Sequence, residues 1–397
     1  MFALTLPFPW LSNTEEDEAG ADDASLAASM PTAAHSSTGL IPARLRHQQL
    51  IHSTKRDPAD VVAWLGAMQA QDFSGAKWAI GLRAPACHDA GIEDAFNDGR
   101  ILRTHVLRPT WHFVAAADVK WLLALSAPRV HANNAYYYKQ SGLDAKMFAR
   151  SCAMIGRVLE GGEFKTRAEL AIALKRAKVP ADGLKLAYIL MHAELEGVIT
   201  SGPRRGKQFT YALLAERAPR SRALDRDEAL AELVKRYFGS HGPATIRDFV
   251  WWSGLTAKDA ETGIAAARPK LRQETIDGRV YWLSTLPSPA APKAKGCVAL
   301  LLPNYDEYLI AYKDRSPVID SSRAAANVVA RSNGGFSHHL VIDGTLAGSW
   351  RRELKGNSVM IEVAPYIKLT PAQTRAVMNA VDCYGEFLGL PASLSIV

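Results

Sequence analysis

The sequence predicts an α+β protein in which helices followed by a β-hairpin occur three times, ahead of a small β-rich, barrel-like C-terminal domain. Three observations carry this. Helical apolar spacing gives way to strand-like alternation three times, at intervals of about 70 to 80 residues, the mark of a repeated supersecondary unit. Asp277-Gly278 sits between two β-rich runs and is a strong two-residue hairpin signal. The chain, at 397 residues with 48% hydrophobic residues, exceeds one ordinary domain and can fill several cores.

The elements follow in order. Residues 1–41 are rich in Ala, Ser, Asp and Glu without periodicity, and are expected to form a disordered acidic tail. The apolar start MFALTLPFPWL has no basic flank and runs into acids, so no secretory signal is expected. Residues 42–150 form the first unit. ARLRHQQLIHS and PADVVAWLGAMQAQ are helical, the second with Asp57-Pro58 at its start. GAKWAIGLR and GIEDAFNDG are further helices, RILRTHVL and TWHFVA are strands, and AAADVKWLLALSAPRVHANNAYYYKQ is a helical connector.

Residues 151–222 repeat the order. A capping-box-like TRAE begins a helix at Thr166, KLAYILMHAELEGVI is a second helix, and SGPRRGKQFTYALL is strand, basic turn, strand. Residues 223–286 give the third copy, and the hairpin RQETIDGRVYWLS closes it. Helix, helix, hairpin is the order of a winged-helix unit, so three tandem units are expected. TLPSPAAPKAKG is a linker. In residues 296–397, CVALLLPNYDEYLIAY, HHLVIDGTLAGSWRREL and SVMIEVAPYIKL read as strands, and PAQTRAVMNAVDCYGEFLGL as a closing helix.

Charge points to a polyanion. The net charge is +7, and the first 40 residues hold six acids and no Lys or Arg, which leaves +13 on the remainder. A surplus of that size attracts nucleic acid through counterion release. Candidate DNA contacts are Arg44, the strand residues Arg108, Thr110 and His112, and the basic turn Arg204, Arg205 and Lys207. Cys87, Cys152, Cys297 and Cys383 are scattered, which fits a reducing cytoplasm rather than a disulfide framework. No zinc, P-loop, dinucleotide or nucleophile-elbow motif is present, so no metal or cofactor is expected. His338-His339 would point to opposite faces of a strand. No apolar run is long enough for a membrane helix.

Gln69-Ala70-Gln71 follows the second helix and precedes Phe73-Ser74-Gly75. Off a helix, two amides at i and i+2 can converge on one small molecule, donating and accepting at once. Such a pair could hold a water against a sugar carbon. The alternative is a polar helix end capped by a turn.

Several stretches together carry a resemblance: RHQQL, MQAQD, RTHVLRPTWHFVAAAD, LAYILMHAELEGVI with SGPRRGKQFTYALL, SHGPATIRDFVWWSGL and LLPNYDEYLIAYKDR. In this order they resemble the AlkZ/YcaQ-like winged-helix DNA glycosylases, from about residue 42 to the C-terminus. The resemblance implies three winged-helix units and a β-rich domain in a C-shaped body around double-stranded DNA. It implies excision of bulky or N7-alkylated purines and, in some members, unhooking of interstrand crosslinks. The family's catalytic Gln, aliphatic, Gln/Asp motif falls on Gln69, Ala70 and Gln71. Two glutamines match the crosslink-active subgroup, while alanine is smaller than the usual middle residue. The implied enzyme is a monofunctional glycosylase, monomeric and nucleoid-associated in the cytoplasm, without a cofactor. The Arg204-Arg205 wing would support or enter the minor groove. The rival reading is a non-catalytic winged-helix transcription regulator. It requires base-edge contacts and usually two half-sites, and the sequence has no obvious dimerisation helix.

Overall fold

A computed structural model describes residues 34–35, 39–285, 296–319 and 338–397. The expected linker and most of the expected acidic tail lie outside these residues. Within the tail's expected bounds, β1 (Ala34–His35) pairs in parallel with a strand of the third hairpin, and α1 (Leu40–His47) begins at Leu40.

Helix α2 (Pro58–Leu65) starts where Asp57 accepts from the Ala59 N–H and Pro58 fills the first turn. It stops at Gly66, whose φ of +83° a residue with a side chain rarely adopts. The helix therefore ends well short of Gln69, and β2 (Met68–Gln69) follows. After α3 (Phe73–Arg83) and α4 (Asp89–Asn97) come β3 (Ile101–Val106) and β4 (Arg108–Ala115), in a sheet of order β2-β4-β3. The connector is one helix, α5 (Val119–Gln140).

Next come α6 (Ala145–Leu159), β5 (Lys165–Thr166), α7 (Arg167–Arg176) and α8 (Gly183–Leu195). Thr166 and Glu169 close the expected capping box. β6 (Ile199–Ser201) and β7 (Thr210–Leu213) complete a sheet of order β5-β7-β6, followed by the single turn α9 (Leu214–Arg217). The third group is α10 (Arg226–Ser240), α11 (Ile246–Ser253), α12 (Ala257–Ala267), β8 (Leu271–Ile276) and β9 (Arg279–Ser284). Asp277 and Gly278 both have positive φ, as the tight hairpin turn requires.

The C-terminal region departs from expectation twice. First, β10 (Ala299–Leu302) ends early, and residues read as strand form a helical turn, α13 (Glu307–Ile310), capped by Asp306. Second, β10 is followed by β11 (His339–Ile342), β12 (Thr345–Lys355), β13 (Ser358–Pro365) and, after α14 (Pro371–Leu388), by β14 (Ala392–Ile396). Their order β10-β11-β12-β13-β14 is an open sheet with β10 and β14 at its edges, not a barrel. Closure is unnecessary because α14 covers a face: Val377, Val381, Tyr384 and Phe387 pack with Trp350, Ile361 and Val363. The same core takes in Val61, Ile80, Phe96 and Phe113, so the first group of elements and the C-terminal sheet share one interior.

A buried ion pair crosses that junction. Arg83 donates from Nη1 and Nη2 to the two carboxylate oxygens of Asp306, both at 2.8 Å, and both side chains are wholly buried. Gln48 Oε1 accepts from the same guanidinium at 2.9 Å. Removing one partner strands a charge without water. Arg83→Ala should therefore lower unfolding stability by about 3–5 kcal/mol in a denaturant titration, far more than loss of an exposed pair.

Candidate active site

The Gln-Ala-Gln segment is held along its backbone. In β2, Gln69 sits opposite His112 of β4 and Met68 opposite Phe113. The Ala70 N–H donates to the Trp111 carbonyl at 2.8 Å. Arg103 of β3 donates from Nε to the Ala70 carbonyl at 2.9 Å and from Nη2 to the Gln71 carbonyl at 3.4 Å. Its guanidinium lies over the Trp111 and Phe209 rings at 4.2 and 4.8 Å. Burial lowers Arg103 to about 10, which leaves it charged at neutral pH.

Glu307 of α13 holds the other end. Its Oε1 accepts from the Gln69 N–H, and its Oε2 accepts from the Trp252 indole, each at 2.9 Å. The side chain is buried, and His241 Nε2 lies 3.6 Å away. Burial alone would raise this carboxyl. The His241 ring beside it, followed by the Gln69 N–H, instead holds it below the usual carboxylate range. Glu307 is thus an anion fixed behind the segment. It was not singled out from sequence, where the available signal was an Asp-Glu pair inside the apolar run LLPNYDEYLI.

The side chains are then constrained. Gln69 is buried and its Oε1 accepts from the Gln71 backbone N–H at 3.4 Å, so its side chain folds back along the segment. Gln71 is half-buried, and Asp72 caps α3 by accepting from Gly75. His112, the cross-strand neighbour of Gln69, shares its face of the sheet. Burial, followed by the charge of Arg108, lowers His112 to about 3, so the ring is neutral at pH 7. Its Nδ1 lies 2.9 Å from the Thr110 carbonyl, which can only accept. Nδ1 must then carry the proton, and Nε2 keeps its lone pair.

Arg108 and Thr110 alternate with His112 on β4. The Arg108 Nε and Thr110 Oγ1 are shut off from solvent without a hydrogen-bond partner among the described residues. Buried polar atoms are rarely left so, and both residues lie on β4, the strand that pairs with β2. The expected residues Gln69, Gln71, Arg108, Thr110 and His112 therefore gather around one short stretch of β2 and β4.

The remaining expected contacts separate from them. Arg44 is buried, donates from Nε to the Pro243 carbonyl at 3.0 Å, and stacks 3.8 Å from the Tyr312 ring centre. It is a core group and cannot reach a phosphate, which corrects its assignment. Arg204 folds inward onto Glu93 at 2.9 Å and over the Phe73 and Phe209 rings. It braces the second hairpin against α4 rather than projecting from the tip. Arg205 is exposed but pairs with Glu169 at 2.9 Å, and Lys207 is exposed at the turn.

Two neutral amides, a neutral imidazole acceptor and unsatisfied donors suit the positioning of a small polar molecule beside a larger substrate. The α+β fold and this segment together fit a DNA glycosylase. The family model for AlkZ-like DNA glycosylases matches residues 62–387, and the chain belongs to that family. It is 26% identical over 328 residues to the interstrand DNA cross-link repair glycosylase of Streptomyces sahachiroi, covering 77% of this chain and 85% of that protein. The solved structure of S. sahachiroi DNA glycosylase AlkZ shares the fold, with a TM-score of 0.76 at 24% identity, over 92% of this chain and all of that one.

His112 gives the site a pH signature. Its folded value near 3 lies below the ordinary 6.5, so acid favours the unfolded chain. Its contribution is complete above pH 6.5 and is lost as pH falls toward 3, with a slope approaching about 1.4 kcal/mol per pH unit. Urea titrations of His112→Gln should show a shallower loss of stability between pH 6.5 and 4 than the native chain.

Proposed function

We propose that this chain is a monofunctional glycosylase that hydrolyses the N-glycosidic bond of bulky or N7-alkylated purines in double-stranded DNA and unhooks interstrand crosslinks. The observation that carries the reading is the backbone-braced Gln69-Ala70-Gln71 segment, with the Gln69 side chain turned back onto the Gln71 N–H. The name of the S. sahachiroi relative, a cross-link repair glycosylase, supports the crosslink substrate.

The chemistry follows from the leaving group. An N7-alkylated purine is already cationic, so its bond to C1′ breaks with the electron pair passing to the ring and neutralising it. A general acid is not required. Gln69 and Gln71 orient a water toward C1′, whose oxygen bonds to the sugar as positive charge develops there. Neutral amides are weak bases. His112, held neutral by burial, can accept a hydrogen bond at Nε2 but not hold the proton, which passes from the water to solvent. The anionic Glu307 behind Gln69 favours positive charge on the sugar side. Arg108, Thr110 and His112 form the wall against the DNA, and Arg205 and Lys207 supply phosphate contacts from the second hairpin.

On this reading the three helix-and-hairpin groups, 42–150, 151–222 and 223–286, are winged-helix units, with 296–397 as the C-terminal domain. The protein acts as a monomer on DNA in the cytoplasm, at the nucleoid. A bulky adduct does not fit a snug pocket, so little base flipping is expected.

The test is base release from duplex DNA carrying 7-methylguanine. Gln69→Ala combined with Gln71→Ala should reduce single-turnover release by about 10²- to 10³-fold, the usual cost of a lost positioning group. The native chain should leave an abasic site whose strand breaks only on later alkali treatment. Undiminished release by the double variant would overturn the site. Sequence-selective, lesion-independent binding without release would instead support a regulator.

A further inference from the structure

Away from the glutamine segment, α5 and α8 bring together three metal-ligating side chains. His192 lies on α8, and Glu196 follows one turn later, so the two share a face. His131 comes from α5, with its ring centre 4.7 Å from that of His192. One ligand atom each from His131, His192 and Glu196 lies within 4.8 Å of the others.

The rings are held in place. His131 Nδ1 lies 3.1 Å from the Tyr138 hydroxyl, an outer partner of the kind that orients a ligating imidazole. His192 stacks on Phe148 at 3.8 Å between ring centres and 10° between planes. With Nδ1 engaged, the His131 Nε2 points toward Glu196. It lies 3.0 Å from Oε1, an ion-pair distance.

The chemistry of the set agrees. Two imidazoles and a carboxylate suit zinc, with a fourth position left for water. His131 and Glu196 also line a cleft of about 510 Å³ between α5 and the start of α9, which gives an ion a way in. Cys152 Sγ lies 3.9 Å from His192 Nδ1.

We propose that His131, His192 and Glu196 form a zinc site that clamps the connector helix α5 to the C-terminal end of α8. The site is separate from the glutamine chemistry. No sequence motif announces it, because His131 is 61 residues from His192 and only the helix packing joins them.

The untagged full-length chain, stripped with a chelator and dialysed, should take up one zinc ion per chain in a calorimetric titration. Zinc should also raise its melting temperature. Glu196→Gln, at an exposed position that folding tolerates, and His131→Ala should each weaken uptake by at least about 10- to 100-fold, the range that even an outer partner commands. Both variants should lose the zinc-dependent rise in melting temperature, with circular dichroism unchanged. Failure of the native chain to bind zinc stoichiometrically would overturn the proposal, and so would unaltered binding by both variants.

Discussion

The arrangement of the site depends on one carboxylate kept away from water. Glu307 is buried and anionic, and that state holds only because three groups answer it: the Gln69 N–H, the Trp252 indole and His241. These partners come from β2, α11 and the end of α10, which are distant in sequence. A buried charge without such partners would cost several kcal/mol. The chain must therefore bring all three elements to α13 before Glu307 can remain ionised. The position of β2, and with it the direction of the glutamine side chains, is set by this requirement as much as by its ladder to β4.

The neighbouring residue does the same for the body. Asp306 caps α13 and also meets the Arg83 guanidinium with both oxygens. One short turn thus presents two adjacent carboxylates to different parts of the first group of elements. The apolar core supports this, because α2, α3, α4 and β4 pack into the same interior as the C-terminal sheet. The C-terminal region is therefore part of the scaffold behind the glutamine segment. Truncating it would open a core and strand two buried cations or donors at once.

Much of the fold was legible in the sequence, and the reasons are local. Helix starts announced themselves through Asp57-Pro58 and the Thr166–Glu169 box, and the third hairpin through Asp277-Gly278, because caps and tight turns depend on a few adjacent residues. Gln69 and Gln71 were legible as a pair. The strand that holds Gln69 was not, since Met68 and Gln69 carry no periodicity and exist as a strand only through pairing with β4. Glu307 was missed because LLPNYDEYLI reads as an apolar strand, and Tyr308 and Leu309 are apolar for the same reason: the helical turn is buried all round. Arg44 and Arg204 misled for a different cause. A basic residue looks available for phosphate until packing supplies an aromatic face and a carbonyl or carboxylate.

The electrostatic state of the site also limits the chemistry it can support. His112 is held neutral and the two amides cannot ionise, while the nearby formal charges of Arg103 and Glu307 are tied to backbone groups or an indole. Among the groups described around the segment, none is poised to protonate a poor leaving base near neutral pH. Such a site gains most from a substrate that brings its own positive charge. Alkylation at N7 supplies that charge, and release of the base removes it, so interactions that favour an electron-poor sugar act at the transition state more than on the product. On the proposed assignment of Gln69 and Gln71, the absence of a proton donor would tie the pair to damaged rather than normal DNA. On the same assignment, an unmodified purine would need a proton that these residues do not supply.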